Sequence, residues 1–260
     1  MNNKSFWQYT GLSVIGTGHL KSNKPCQDSH DLKVINRWII LAVADGAGSA
    51  EHSDSGSKIA IEQSMKTLES ELVNIGDNDT CESFLKNSLL KSASNAHKAL
   101  LEYSDNNKIE LKSLATTLLL TIANDSYIAG CQIGDGLIVY SQDFDGLPLL
   151  LIKPMHGEYI NQTEFITDKK YMEKIQVVVK SLSVACISLS SDGLENLAYI
   201  YKTKEAHPPF FKPLFNFVYK TDNSDKRIAQ LKGFLESDQV CCKTDDDKTL
   251  LIAIRKKDEI

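Results

Sequence analysis

Short apolar runs bounded by turn residues recur along the chain, and a run of this length predicts a β-strand. The clearest is residues 38–44, which Asp45-Gly46 closes. Two longer stretches, residues 55–75 and 82–103, instead carry apolar residues at helical spacing, and Asp105-Asn106-Asn107 is expected to end the second. The first part of the chain is therefore predicted to form a buried strand and two long helices.

The middle of the chain is predicted to be a succession of strands joined by short polar turns. Hairpin turns are expected at Asn124-Asp125, at Gly134-Asp135-Gly136 and at Asp145-Gly146. The remaining predicted strands are residues 7–15, 116–123, 127–133, 137–141, 147–152, 175–179, 184–189 and 250–254, and the later helices are residues 194–201, 209–219 and 226–236.

This order of elements is typical of the α+β class. Two long helices, a block of meandering strands, further helices and a last strand favour antiparallel sheets that pack together, with helices segregated from them. The sequence has no internal repeat, low-complexity tract or Pro/Gly/Ser-rich linker. Residues 1–260 are therefore predicted to form a single domain.

Composition narrows the classes of function without selecting one. The chain has 260 residues, of which 42% are hydrophobic and 24% charged, and its net charge is −5. No block of Lys or Arg is long enough for a nucleic-acid patch, and no apolar run reaches the about 18 residues of a membrane span. The N-terminus lacks the apolar stretch of a signal peptide, and none of the six cysteines forms a C-x-x-C pair. These features predict a cytoplasmic protein without nucleic-acid or membrane partners.

Acidic turns follow or adjoin several of the apolar runs. They are Gln27-Asp28, Asp45-Gly46, Ser191-Asp192-Gly193 and Asp245-Asp246-Asp247-Lys248-Thr249. Crowded carboxylates repel one another and take up protons unless a cation neutralises them. Hard divalent metals bound by oxygen are the usual cation for such a cluster. The pattern indicates a two-metal hydrolase.

Six short motifs occur in a characteristic order along almost the whole chain. They are Asn23-x-x-x-Gln27-Asp28, Val43-Ala44-Asp45-Gly46, Ala115-Thr116-Thr117, Ile133-Gly134-Asp135-Gly136, Ser190-Ser191-Asp192-Gly193 and Asp246-Asp247-Lys248-Thr249-Leu250. In this order they resemble the metal-dependent protein phosphatase family (PPM, or type 2C), and residues 44–50 and 157–165 resemble a bacterial branch of it. The resemblance implies two central antiparallel sheets flanked by helical layers, a four-layer α-β-β-α sandwich.

The resemblance also implies a binuclear metal site. Asp45 would bridge two ions through its carboxylate, and the backbone carbonyl of Gly46 would bind one of them. Asp192 and Asp246 would supply carboxylates to the other ion, and Asp28 would lie close by and hold water at the metals. Because all these ligands are oxygen atoms, manganese or magnesium is the expected cofactor.

A third, more weakly held metal is implied at Asp135 together with Asp192, although the Gly-Asp-Gly pattern alone leaves Asp135 equally open to a turn role. The implied reaction is hydrolysis of phosphoserine and phosphothreonine by a metal-activated water. The implied partners are phosphoprotein substrates, a cognate Ser/Thr kinase that the enzyme opposes, and a von Willebrand A-type protein.

One departure from the family concerns the substrate phosphate. Many members carry an Arg at the position of Asn23, where its guanidinium can fork onto the phosphate. Asn23 cannot supply that charge. Lys21 or Lys24 could act as a point charge instead, and either could equally be a solvated surface lysine.

The second departure concerns the leaving group. Many members carry a His just after the Asp-Gly, where this chain has Ala47. His52 is the candidate catalytic acid in its place, and His30 and His19 are alternatives.

Two other functions stay open: a phosphatase-fold module that binds a phosphoprotein without turnover, and a metal phosphatase of a small metabolite. A P-loop enzyme is disfavoured because the Gly-Lys-Ser/Thr element is absent.

Overall fold

Two five-stranded sheets form the centre of the molecule. The computed structural model describes residues 7–73, 75, 81–154 and 163–256. The strands in these residues are β1 (Trp7–Val14), β2 (Ser29–Ile35), β3 (Trp38–Ala44), β4 (Leu118–Ala123), β5 (Ile128–Ile133), β6 (Leu137–Ser141), β7 (Leu149–Ile152), β8 (Gln176–Lys180), β9 (Cys186–Ser190), β10 (Tyr199–Ile200), β11 (Glu205–Ala206) and β12 (Lys248–Arg255). The first sheet has the order β1-β12-β9-β6-β7 and the second has the order β2-β3-β4-β5-β8, while β10 and β11 form a separate pair.

Eight α-helices lie around the two sheets in the described residues. They are α1 (Thr17–Ser22), α2 (Ser53–Val73), α3 (Glu82–Asn107), α4 (Tyr171–Lys174), α5 (Glu195–Ala198), α6 (Pro208–Lys220), α7 (Ser224–Leu235) and α8 (Asp238–Cys241). The long helices α2 and α3 pack on the second sheet, and α6 and α7 lie on the side of the first sheet. Within the described ranges, no helix combines the length and apolarity that a bilayer-spanning segment needs.

The strand β3 explains why the layers stack in this order. All seven of its residues are buried, so neither face of the strand meets water. Ile39 and Leu41 point into the core between the two sheets, whereas Ile40 and Ala42 point into the core beneath α2 and α3. A strand that is apolar on both faces needs a layer on each side. The α+β prediction and the four-layer α-β-β-α sandwich are both confirmed.

Three local predictions are wrong. The helix α3 does not end at Asp105 but runs through Asn107, and Lys108 follows with a left-handed φ of 55°. Residues 194–201 are not one helix, because a 3-10 turn and the short α5 give way to β10 at Tyr199. The Gly134-Asp135-Gly136 turn is not a hairpin, since it joins β5 of the second sheet to β6 of the first.

Candidate metal centre

The register of the strands brings the acidic turns to one end of the sandwich. Asp28 immediately precedes β2, and Ser29 of β2 pairs with Ala44 of β3. Asp28 and Asp45 therefore lie next to each other at the same end of these two paired strands. On the other sheet, Leu250 of β12 pairs with Ser190 of β9. The turn that leaves β9 and the turn that enters β12 are therefore neighbours, as antiparallel pairing requires.

Two threonines hold the backbone of Asp45. The Thr117 hydroxyl accepts a hydrogen bond of 2.9 Å from the Asp45 N–H. The Thr117 N–H and the Thr116 hydroxyl both donate to the Asp45 carbonyl, at 2.8 and 2.9 Å. The motif Ala115-Thr116-Thr117 contributes to the family resemblance, but it does not indicate this backbone role, because threonines at the start of a strand are usual in any sheet.

Gly46 occupies a position that admits no side chain. Its N–H donates to the Gln27 carbonyl at 3.1 Å. A Cβ at Gly46 would lie 2.6 Å from the Ser53 carbonyl oxygen and 2.7 Å from that of Gln27. Both neighbours are backbone atoms, so the requirement for glycine here is steric rather than a matter of φ.

Asp28 is a buried carboxylate in which one oxygen accepts hydrogen bonds and the other has no hydrogen-bond partner among the described residues. Its side chain is 7% exposed. Oδ2 accepts hydrogen bonds from the hydroxyls of Ser191 at 2.8 Å and Thr249 at 2.7 Å. Oδ1 is buried and has no hydrogen-bond partner among the described residues. Burial raises the pKa of Asp28 to about 7 against the lowering effect of these two hydroxyls, and the charges of Asp247 and Asp192 add to the rise.

The carboxyl groups of Asp45 and Asp192 face each other. Burial raises the pKa of Asp45 well above its ordinary value, and the charges of Asp28 and Asp192 raise it further. Burial likewise raises the pKa of Asp192 to about 6, and the charges of Asp135 and Asp246 contribute. Two ionised carboxylates cannot donate hydrogen bonds to each other, so this pair requires a shared proton or a cation.

The oxygen atoms present suit a hard divalent cation. Carboxylates and a backbone carbonyl are the ligands that magnesium and manganese prefer, and the unsatisfied Oδ1 of Asp28 leaves an acceptor for them or their water. As the side chains stand, no three Asp, Glu, His or Cys groups in the described part of the chain are arranged to hold an ion. Repulsion keeps carboxylates apart until a cation offsets it. The ligand set therefore stays a prediction.

The turn that carries Asp135 is fixed by its neighbours. Gly134 and Gly136 both have positive φ, at 89° and 96°, which favours glycine. The buried amide of Gln132 donates to both of their carbonyls, at 3.2 and 3.1 Å. The Thr163 hydroxyl donates to Oδ2 of Asp135 at 2.8 Å. Thr163 belongs to the segment 157–165, of which residues 157–162 lie outside the described residues.

Asp247 is a structural residue that the sequence did not distinguish from its neighbours. It is 2% exposed, and its carboxylate accepts hydrogen bonds from the N–H groups of Gly16 and Gln27, both at 2.6 Å. His19 Nδ1 lies 2.9 Å from the same carboxylate. The adjacent Asp246 is exposed. In a run of three aspartates only the fold decides which one is buried.

The positions that depart from the family lie near the same end of the molecule. Asn23 is exposed, follows α1 and has a left-handed φ of 53°. Lys24 reaches the turn after Asp45, since its Nζ donates to the Gly48 carbonyl at 2.9 Å. Lys21 is an exposed residue of α1. Of the two lysines, Lys24 is the one whose ammonium lies against the metal-site turn.

Among the three candidate histidines, His52 borders the open space beside Ala47. Both residues line a cavity of about 610 Å³ together with Phe165 and Asp168. His19 is engaged with Asp247, and His30 Nδ1 lies 2.7 Å from the Ser13 hydroxyl. His52 is half-buried, and its backbone N–H donates to the Ser113 carbonyl. His52 therefore lines the same cavity as Ala47, and none of the proposed metal ligands is among the described residues that line it.

Known proteins match this chain over most of its length. The family model described as protein phosphatase 2C matches residues 15–236. Serine/threonine-protein phosphatase 3 of Escherichia coli K12 is 30% identical in an alignment of 257 positions that covers 95% of this chain and 98% of that protein. Both matches include the acidic turns at Asp28, Asp45 and Asp192.

Solved structures share the fold. The crystal structure of a bacterial serine phosphatase superposes with a TM-score of 0.66 at 16% identity and covers 97% of this chain and 99% of its own. The catalytic domain of the serine/threonine protein phosphatase PstP, in complex with two manganese ions, gives a TM-score of 0.63 at 15% identity, over 95% of this chain and 97% of its own. The family match, the relative and the two-sheet fold lead to one conclusion: this chain belongs to the protein phosphatase 2C family.

Proposed function

We propose that this chain is a protein-serine/threonine phosphatase that hydrolyses phosphoserine and phosphothreonine with manganese or magnesium and opposes a Ser/Thr kinase. The observation that carries the proposal is the set of buried carboxylates from both sheets at one end of the sandwich: burial, and then the charges of neighbouring aspartates, raise the pKa values of Asp28, Asp45 and Asp192. Such a cluster costs stability unless it serves a cation. Family membership and the E. coli relative support a phosphatase rather than another use of the cluster.

Each residue of the site has a proposed role. Asp45, the Gly46 carbonyl, Asp192 and Asp246 would hold two ions. When bound, the ions lower the pKa of a water molecule and neutralise the phosphoryl oxygens as charge develops. Asp28 would hold water at the metals through Oδ1, which has no hydrogen-bond partner among the described residues.

The groups around the cluster act on the substrate. Lys24 provides a positive charge near the phosphate in place of the missing Arg. His52, or solvent, donates a proton to the departing serine or threonine oxygen. Asp135, whose Oδ2 accepts a hydrogen bond from Thr163, would hold a weaker third ion together with Asp192.

The decisive experiment is hydrolysis of p-nitrophenyl phosphate and a phosphothreonine peptide, with and without manganese. Manganese-dependent turnover of both substrates is expected. Asp45→Ala is expected to lower it by more than about 100-fold, because it removes a bridging ligand. Asp143→Ala changes an exposed acid away from the cluster and serves as the matched control.

Two outcomes contradict the proposal. Wild type that binds manganese but hydrolyses neither compound would favour a module that binds a phosphoprotein without turnover. Preference for sugar phosphates or nucleotides over the phosphopeptide would favour a metabolite phosphatase.

The proposed partners, a cognate Ser/Thr kinase and a von Willebrand A-type protein, and the proposed cytoplasmic location rest on the resemblance to the bacterial branch and on composition. Release of phosphate from the autophosphorylated kinase would test the first of these.

A further inference from the structure

A continuous chain of hydrogen bonds joins His30 on β2 to the carboxylate of Asp28. His30 Nδ1 lies 2.7 Å from the Ser13 hydroxyl, and the Ser13 hydroxyl lies 2.6 Å from that of Thr249. The Thr249 hydroxyl in turn lies 2.7 Å from Oδ2 of Asp28. Ser13 of β1 and Thr249 of β12 are paired residues, so the register of the first sheet sets the middle of the chain. All three distances are those of ordinary hydrogen bonds.

The carboxylate at one end fixes the direction of every bond. An ionised carboxylate only accepts hydrogen bonds, so Thr249 donates to Asp28. A hydroxyl has a single proton, so Thr249 must accept from Ser13. Ser13, whose proton is then used, must accept from the ring of His30. Whenever Asp28 is ionised, His30 therefore carries its ring proton on Nδ1.

Ser191 makes a second hydrogen bond to Oδ2 of Asp28. The Ser191 hydroxyl donates to Oδ2 of Asp28 at 2.8 Å and accepts from the Thr249 N–H at 3.0 Å. We propose that Ser13, Thr249 and His30 are positioning residues that hold Oδ2 of Asp28 and so present Oδ1 to the metal centre. The consequence for catalysis rests on the proposed function, whereas the consequence for the His30 tautomer does not.

The tautomer provides a spectroscopic test. The ring ¹⁵N resonances of His30, recorded at pH 8 with magnesium, are expected to be those of the Nδ1–H form. The chain contains its own references, because Nδ1 of His97 and of His207 lies 2.7 and 2.9 Å from a backbone carbonyl oxygen. A carbonyl only accepts, so both rings must carry the proton on Nδ1. His30 should match these two rings.

Substitution of Thr249 tests the link to the metal centre. Thr249→Val removes the hydroxyl with little change of volume, which frees the Ser13 proton to bond to His30 Nδ1. The expected results are a switch of His30 to the Nε2–H form and a loss of about 10–100-fold in manganese affinity or turnover, the range for partners of metal-site residues. Thr249→Ser retains the hydroxyl and should restore both. Thr121→Val is the control, since its buried hydroxyl has no partner within the described residues.

Ser13→Ala gives an independent variant should Thr249→Val fold poorly. It breaks the chain one bond further from Asp28, so the Nδ1–H signature of His30 should be lost with a smaller, several-fold loss of metal affinity. Calorimetric titration with magnesium or manganese measures that affinity without substrate.

The inference is overturned if wild-type His30 is in the Nε2–H form under these conditions. It is also overturned if Thr249→Val and Ser13→Ala leave metal affinity and turnover at the wild-type level. A protein that has the Nδ1–H tautomer and the Thr249-dependent metal affinity, but hydrolyses no phosphoester, would contradict the proposed function and leave the positioning role intact.

Discussion

The substitution Asp28→Asn is expected to make the metal-free protein less sensitive to rising pH. The folded protein keeps the Asp28 proton to a higher pH than the unfolded chain does, because burial raises the pKa from 3.8 to about 7. The unfolded chain therefore releases the proton first. The stabilising contribution, complete below a pH of about 4, is lost as pH rises through about 7.

The size of the effect follows from the shift. At 1.36 kcal/mol for each pKa unit, the rise from 3.8 to about 7 corresponds to about 4 kcal/mol of unfolding free energy. About 2 kcal/mol of it is already lost at pH 5, so about 2–3 kcal/mol is lost between pH 5 and pH 8. The buried amide of an asparagine adds a cost of its own, but that cost does not change with pH.

Urea denaturation of EDTA-treated protein at pH 5 and pH 8 measures this difference. The unfolding free energy of Asp28→Asn relative to wild type should increase by about 2–3 kcal/mol from pH 5 to pH 8. Asp143→Asn, an exposed control, should leave the pH dependence of the wild type unchanged. Saturating manganese should remove the wild-type loss at pH 8, because ligand binding stabilises the folded state. Equal pH dependence of Asp28→Asn and wild type in EDTA would refute the reasoning.

Two further substitutions test residues that the sequence left undecided. Asp247→Ala leaves two buried backbone N–H groups without an acceptor, so it should lower the unfolding free energy in urea denaturation by about 3–5 kcal/mol. Asp245→Ala changes an exposed residue and should alter the unfolding free energy by less than about 0.5 kcal/mol. Similar values for the two variants would contradict the anchoring role of Asp247. Lys24→Ala should raise KM for a phosphopeptide about two- to fivefold at low salt with kcat little changed, and Lys21→Ala should not, so equal effects would rule out a specific contribution of Lys24.

Local pattern in the sequence determined the elements that depend on neighbours along the chain. The buried strand β3 lies at the predicted residues 38–44, because a short run that is apolar throughout has few alternatives. Helices α2 and α3 form where the helical spacing placed them, although α3 continues through the polar Asp105-Asn106-Asn107. Polar residues weaken a helix only slightly when tertiary packing supports it.

The sequence was less informative about strands that alternate in exposure. The strand β2, with no fully buried residue, was not predicted, since its apolar positions are few and its stability comes from pairing with β3. The residue types of the Gly134-Asp135-Gly136 turn are typical of a β-hairpin. In the tertiary structure, the chain instead crosses at this turn from β5 of the second sheet to β6 of the first. That crossing brings Asp135 towards Asp192.

At the candidate site, the sequence by itself predicted which acidic turns supply the metal ligands, because residue type and order along the chain are enough for that prediction. It did not determine the residues that hold them. Thr117 beneath Asp45, Thr249 beside Asp28 and the buried Asp247 are common residue types whose roles arise from contacts across 72, 221 and 231 residues of sequence. Strand register sets these contacts, and register is a property of the packed sheets, so only the tertiary structure could decide them.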